Sequence, residues 1–241
     1  MRAIVLIGTF VAALATAVHA VDGVIEINQA RAMAGSVTPG DTPGFPVTIT
    51  QRGSYRLTGD LTPGATQGIH ISADDVTIDL NGFSIVNPLV GILGSSGNNI
   101  TVANGSILSA TWTGLEVTGD RSRVERVRVT GTRSSPTGFS GIYVGTSAIV
   151  SGCTVSLFSG TGIVGTSGLI TGNIVRGNGA GISLNHGVVT GNLVDDNTNA
   201  GLNGGAGYAG NTFFLNHPST GVQVSGGLQL GPNMCNGAPC P

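Results

Sequence analysis

The sequence predicts an all-β chain wound into a right-handed, single-stranded parallel β-helix of about eight coils, with an N-terminal helical cap. Three observations predict it. A Gly-aliphatic pair returns every 19–27 residues, two columns of asparagine return in step with it, and no long helical period runs between Thr66 and Val224.

The chain opens with Arg2, an apolar run from Ala3 to Val18 and the small-residue pattern Val18-His19-Ala20 before Asp22, the order of a secretory signal peptide spanning 1–20. A membrane anchor is the rival reading, but the run is short and no basic stop-transfer cluster follows it. With cleavage after Ala20, no later segment is apolar enough to span a membrane, and the remaining ~220 residues suffice for one domain with a sizeable core. An exported chain belongs in the periplasm or outside the cell.

Residues 21–46 are expected to cap the open end of the solenoid, because such an end is an exposed sheet edge. Within them Glu26 to Ala34 (EINQARAMA) reads as a short amphipathic helix with Ile27, Ala30 and Met33 or Ala34 on one face. The β-helix proper is expected over 47–230. It begins with an irregular coil from Val47 to Leu61, where VTIT and SYRLTG alternate as strands do.

Regular coils start at Gly68, Gly91, Gly114, Gly141, Gly162, Gly181, Gly201 and Gly221, at intervals of 23, 23, 27, 21, 19, 20 and 20. Behind them, Asn173, Asn192 and Asn211 follow Gly, and Asn178, Asn197 and Asn216 lie five residues further on. The same offset carries Cys153 and Val127 in earlier coils. A column that accepts Asn, Cys and Val faces inward, where stacked amides bond to the coils above and below. Leucine-rich repeats share the period but need several leucines at fixed places in each unit, and these units hold only one or two. A Pro-rich tail, 231–241, closes the chain. A disulfide between Cys235 and Cys240 is expected there in an oxidising compartment, with metal binding as the alternative.

The run VTIDLNGFSI from Val76 to Ile85, preceded by GFPVTIT and GSYRLTGDL and followed by the Gly-aliphatic coils, resembles the secreted right-handed β-helix repeat proteins of bacteria, within the pectate-lyase-like superfamily. The resemblance covers nearly the whole chain after the signal peptide. It implies the fold and leaves the activity open, since that superfamily holds polysaccharide lyases, hydrolases, epimerases, adhesins and members without known function.

Composition excludes some classes. Charged residues make up 9% of the chain, there is no lysine, and the formal net charge is −2, so the basic balance of a nucleic-acid binder is missing. With 40% apolar residues and a positive mean hydropathy, the chain is nonetheless a folding one. A phosphate-binding P-loop needs a lysine. GAGYAG at Gly205 to Gly210 fits a dinucleotide pattern, but no helix follows it. Asn99 and Asn104 match glycosylation sequons, and His186 and His217 are isolated in their coils.

In each coil the residue between the two aliphatics points outward, which stacks His70, Leu93, Glu116, Tyr143, Val164, Ser183, Asn203 and Gln223 in one exposed column. Glu116, Tyr143 and His70 are the candidate catalytic residues. A carboxylate, a phenol and an imidazole can supply base and acid for removing the proton beside a sugar carboxylate; an exposed strand face also carries such residues as ordinary solvated surface. Arg121, Arg123, Arg126 and Arg128, with Arg133, share the coil of Glu116 and are candidate ligands for carboxylated or sulfated sugars. Arg126 stands where the four later coils have Gly152, Gly172, Gly191 and Gly210. Glu125 and solvent can satisfy the same charges.

Neither a cofactor nor a metal is expected. The calcium sites that the resemblance brings to mind need several converging carboxylates, whereas Asp74-Asp75 and Asp195-Asp196 are far apart in the stack. Asp74 and Asp120 occupy equivalent turns with Gly97 between them and read as turn formers. Three functions follow: a module that binds glycans or cell-surface components without turnover, a lyase or epimerase of acidic polysaccharide, and a structural or assembly protein.

Overall fold

The structure, a computed structural model, describes residues 23–134, 138–217 and 220–240; the signal peptide expected over 1–20 lies outside them. The chain forms a parallel β-solenoid of about eight turns with three strands per turn. A first sheet stacks Val47–Ile49, Gln67–Ile71, Val90–Leu93, Leu115–Val117 and Ile142–Val144, then the leading parts of Thr161–Thr171 and Ala180–Thr190, then Leu202–Asn203 and Val224–Ser225. A second sheet rises from Ile25–Ile27 through Gly53–Leu57 and Val76–Asp79 to Leu228–Gln229. The third runs from Ser84–Val86 to Met234–Cys235.

Alternation drives the winding. Inward side chains such as Ile69, Ile92, Leu115, Ile142, Ile163 and Ile182 are fully buried and stack in files one strand spacing apart. The glycine that opens each coil answers to a different constraint. A Cβ on Gly114 would lie 2.1 Å from Val129 Cγ1 and 2.6 Å from the Gly141 carbonyl oxygen, and one on Gly141 would lie 2.2 Å from Val155 Cγ1. The corner between third and first sheets is too narrow for any side chain, so glycine recurs there without positive φ.

The corner between second and third sheets does require φ > 0. Asn81, Asn104, Arg126, Gly152, Gly172, Gly191 and Gly210 occupy it at φ from 51° to 65°. One residue or two beyond that corner the first asparagine ladder runs inside the rod. Asn173 Nδ2 donates to Asn192 Oδ1 at 3.0 Å, Asn192 to Asn211 at 2.9 Å, and Asn211 to Asn233 at 3.0 Å. A second ladder links Asn178, Asn197 and Asn216. Cys153 and Phe158 hold the same two positions one coil earlier and give their backbone N–H groups to Asn173 and Asn178.

Three sequence expectations are corrected. The helix is Gln29–Ala34, not Glu26 to Ala34, and it buries Ala32 while Ala30, Met33 and Ala34 are exposed. Glu26 and Ile27 are instead strand residues paired with Arg56 and Leu57, and Asn28 caps the helix by accepting from Arg31 N–H at 3.0 Å. The last coil starts at Gln223 rather than Gly221, because Leu202 pairs with Val224. Gln223 therefore lies inside, and Ser225 takes the outward place next to Asn203. Finally, Asn98, not Gly97, stands between Asp74 and Asp120. The Asp74 carboxylate accepts Asn98 N–H at 2.7 Å, Asn98 Oδ1 accepts Asp120 N–H at 3.0 Å, and the Thr146 hydroxyl donates to Asp120. These are stacked turn caps.

A disulfide joins Cys235 and Cys240 around the antiparallel pair Met234–Cys235 and Ala238–Pro239, which folds back at the C-terminal end of the rod. No described helix is long and apolar enough to cross a membrane.

Candidate functional site

His70, Leu93, Glu116 and Tyr143 stand on four successive strands of the first sheet in direct register, with Val164, Ser183 and Asn203 above them. Glu116 and Tyr143 are thus ~4.8 Å apart at the backbone, and His70 is two spacings from Glu116. Leu93 stands between them, so the imidazole and the carboxylate are neighbours only across an aliphatic side chain. Partial burial pushes the Glu116 carboxyl above its ordinary value, because the charged form loses hydration there.

Two aromatic residues not singled out from sequence stand beside this column. Trp112 lies two residues before Gly114 and Phe139 two before Gly141, so adjacent coils bring them together, with ring centroids 4.7 Å apart and planes inclined by 17°. Trp112 remains 40% exposed and Tyr143 38%. Trp112 precedes Glu116 by four positions, no more than about 14 Å of extended chain. The signal was present in the sequence as matching offsets from two successive coil-opening glycines. It was obscured by the extra residues of the Gly114 to Ser140 coil.

Along the same edge of the rod a shallow groove of ≈ 320 Å³ is lined by Arg133, Ser159, Thr198 and Asn199. Asn199 also lines the next hollow, ≈ 340 Å³, with Asn203, His217 and Ser225. A larger hollow of ≈ 500 Å³ at the C-terminal end, between Gly221 and the disulfide, has no charged side chain in its lining.

The four arginines do not face Glu116 and Tyr143. Arg123 points outward from the second sheet and Arg128 from the third, while Arg121 and Arg126 occupy left-handed corners with φ of 58° and 53°. Glu125 pairs with Arg123 at 2.8 Å and with Arg126 at 3.7 Å, and Arg126 Nε donates to Asn104 Oδ1 at 2.9 Å. All four are exposed, so this basic belt wraps one coil rather than lining a cleft. Among the described residues no three His, Cys, Asp or Glu side chains group as metal ligands.

Cys153 is buried, and that burial pushes its thiol up to about 11. It is a packing residue at neutral pH.

Comparison with protein-family models, with curated proteins and with solved structures finds no match.

Proposed function

We propose that this protein is an exported module that binds glycan without turning it over, and that the sugar lies on the first sheet across Trp112, Phe139, Tyr143 and Glu116. The observation that carries the reading is the stacked Trp112–Phe139 pair, Trp112 exposed and Phe139 half-buried, one strand-length from Tyr143 and Glu116. Aromatic faces pack against the C–H faces of sugar rings, and a flanking carboxylate accepts their hydroxyls. The groove from Arg133 to Ser225 extends this surface along the rod, in the direction a long polymer would take. The arginine belt offers a separate contact for carboxylated or sulfated units.

The same reading takes 1–20 as a signal peptide, the solenoid as right-handed, as parallel crossovers nearly always are, and the helix Gln29–Ala34 as the cap of its N-terminal end. It places the chain among the secreted, pectate-lyase-like β-helix proteins of bacteria.

A second reading, lyase or epimerase, draws on one observation: the raised Glu116 carboxyl beside the Tyr143 phenol suits proton transfer. The deciding experiment titrates the purified protein with neutral and acidic oligosaccharides and follows fluorescence, which has a single tryptophan to report, Trp112. Binding that quenches or shifts this emission, weakened about tenfold or more by Trp112→Ala or Tyr143→Ala, supports the module. Unsaturated or epimerised uronate that disappears in Glu116→Gln overturns it in favour of the enzyme. Affinity that neither substitution changes removes the first sheet as the seat.

A further inference from the structure

The outer face of the third sheet carries an internal symmetry in its C-terminal half. Registered pairing aligns Thr154, Ile174, Leu193 and Thr212 in one outward column and Ser156, Arg176, Asp195 and Phe214 in the next. Beyond them, Leu157, Gly177, Asp196 and Leu215 share the left-handed corner at φ from 51° to 68°. Ile174 is 42% exposed, Leu193 40%, Phe214 41% and Leu215 56%, two exposed apolar pairs on one face, a feature that marks contact surfaces. Between Gly138 and Cys240 the only charged residues are Arg176, Asp195 and Asp196; the first two lie on this face and Asp196 at the corner that borders it. Arg176 and Asp195 form a loose, half-exposed ion pair within the chain, 3.7 Å apart.

We infer that this face is the contact surface for a second copy of the same chain, turned by a two-fold axis that lies along the strands midway between Arg176 and Asp195. Such an axis exchanges the coil of Arg176 with that of Asp195 and keeps each column on itself. Ile174 then meets the partner's Leu193, Arg176 meets the partner's Asp195, Thr154 meets the partner's Thr212, and Leu157 meets the partner's Leu215. Each exchange occurs twice, which is the self-complementarity an isologous interface needs. The opposite charges, one coil apart, pair within each chain, and the axis adds a second opposite charge facing each of them, whereas a parallel arrangement would set like against like. Four coils span ~14 Å of rod, so the contact belongs to the small, reversible class of interfaces.

Sedimentation of the full chain with its disulfide intact, across a concentration series up to millimolar, tests this. A monomer–dimer equilibrium is expected. Arg176→Asp and Asp195→Arg should each raise its dissociation constant by about tenfold or more, since each sets like charges opposite. The double exchange R176D/D195R should return it to within about threefold of the parent. Leu193→Asn, which leaves the charges untouched, should weaken the dimer with unchanged circular dichroism. A monomer at every concentration overturns the inference, and so does a dimer that ignores the reversals or is not restored by the double exchange.

Discussion

The side-chain amide of Asn216 donates to Gln223 Oε1 at 3.0 Å, and with that bond the second asparagine ladder ends on a residue from the same coil boundary rather than on another asparagine. Gln223 Nε2 turns back to the Asn216 carbonyl at 2.8 Å and to Gly221 at 3.0 Å. The two-residue shift of the last coil is what aims Gln223 inward, and the longer side chain bridges a step that the coil spacing no longer supplies.

The ladders should therefore be costly in the middle and cheaper at the end. Asn197→Leu leaves the backbone N–H and the side-chain amide of Asn178 without their common acceptor, at about 1–3 kcal/mol each. Gln223→Leu strips the same two groups of Asn216, but next to an open coil where water can enter, so about 1 kcal/mol is expected. Denaturant melts of the two variants check the order.

The glycines divide by mechanism. Gly114→Ala should destabilise by about 1–3 kcal/mol through overpacking, since its Cβ meets Val129 and the Gly141 carbonyl. Gly221→Ala meets open space at φ 73° and should cost only the left-handed penalty of about 1 kcal/mol. Adding Val129→Ala should relieve Gly114→Ala in part, because the carbonyl contact remains.

Arg126 occupies a corner that four later coils give to glycine. Arg126→Gly should raise stability by about 0.5 kcal/mol, the left-handed strain of a side chain outweighing one exposed hydrogen bond to Asn104 and a loose ion pair to Glu125. Thermal melts give the sign. A loss of binding to a sulfated oligosaccharide in this variant, with stability intact, would assign the arginine belt a role in recognition.

Cys153 sets an alkaline limit. Its folded thiol titrates near 11, above the 9.0 of an exposed thiol, so between those values the unfolded chain ionises while the folded chain does not. The unfolded state then binds fewer protons, and stability falls as pH rises from 9 towards 11, by about 2–3 kcal/mol in all. Buried Tyr55, whose phenol is also raised by burial, adds loss in the same direction above 10. Cys153→Val should flatten the slope between pH 9 and 10, and native Cys153 should resist alkylation at pH 8.

Periodicity made most of the fold legible in the chain itself. The glycine column, the inward asparagines, the placement of Cys153 and Val127 beside them, and the outward file from His70 to Asn203 all follow from side chains repeating at a fixed coil length, and in a solenoid equal offsets mean equal positions. Where coil length changes, that inference stops. The last coil shifts by two residues and turns Gln223 inward, the longer coil before Ser140 hides the match of Phe139 with Trp112, and the short front helix starts at Gln29 because Glu26 and Ile27 are claimed by a strand partner thirty residues away. Only tertiary structure could separate the arginines from Glu116, since residues close along one coil are turned to different faces by its corners. It alone also aligned Arg176, Asp195 and the apolar residues around them on one face, because that alignment depends on hydrogen-bonded register between coils and not on any pattern within one.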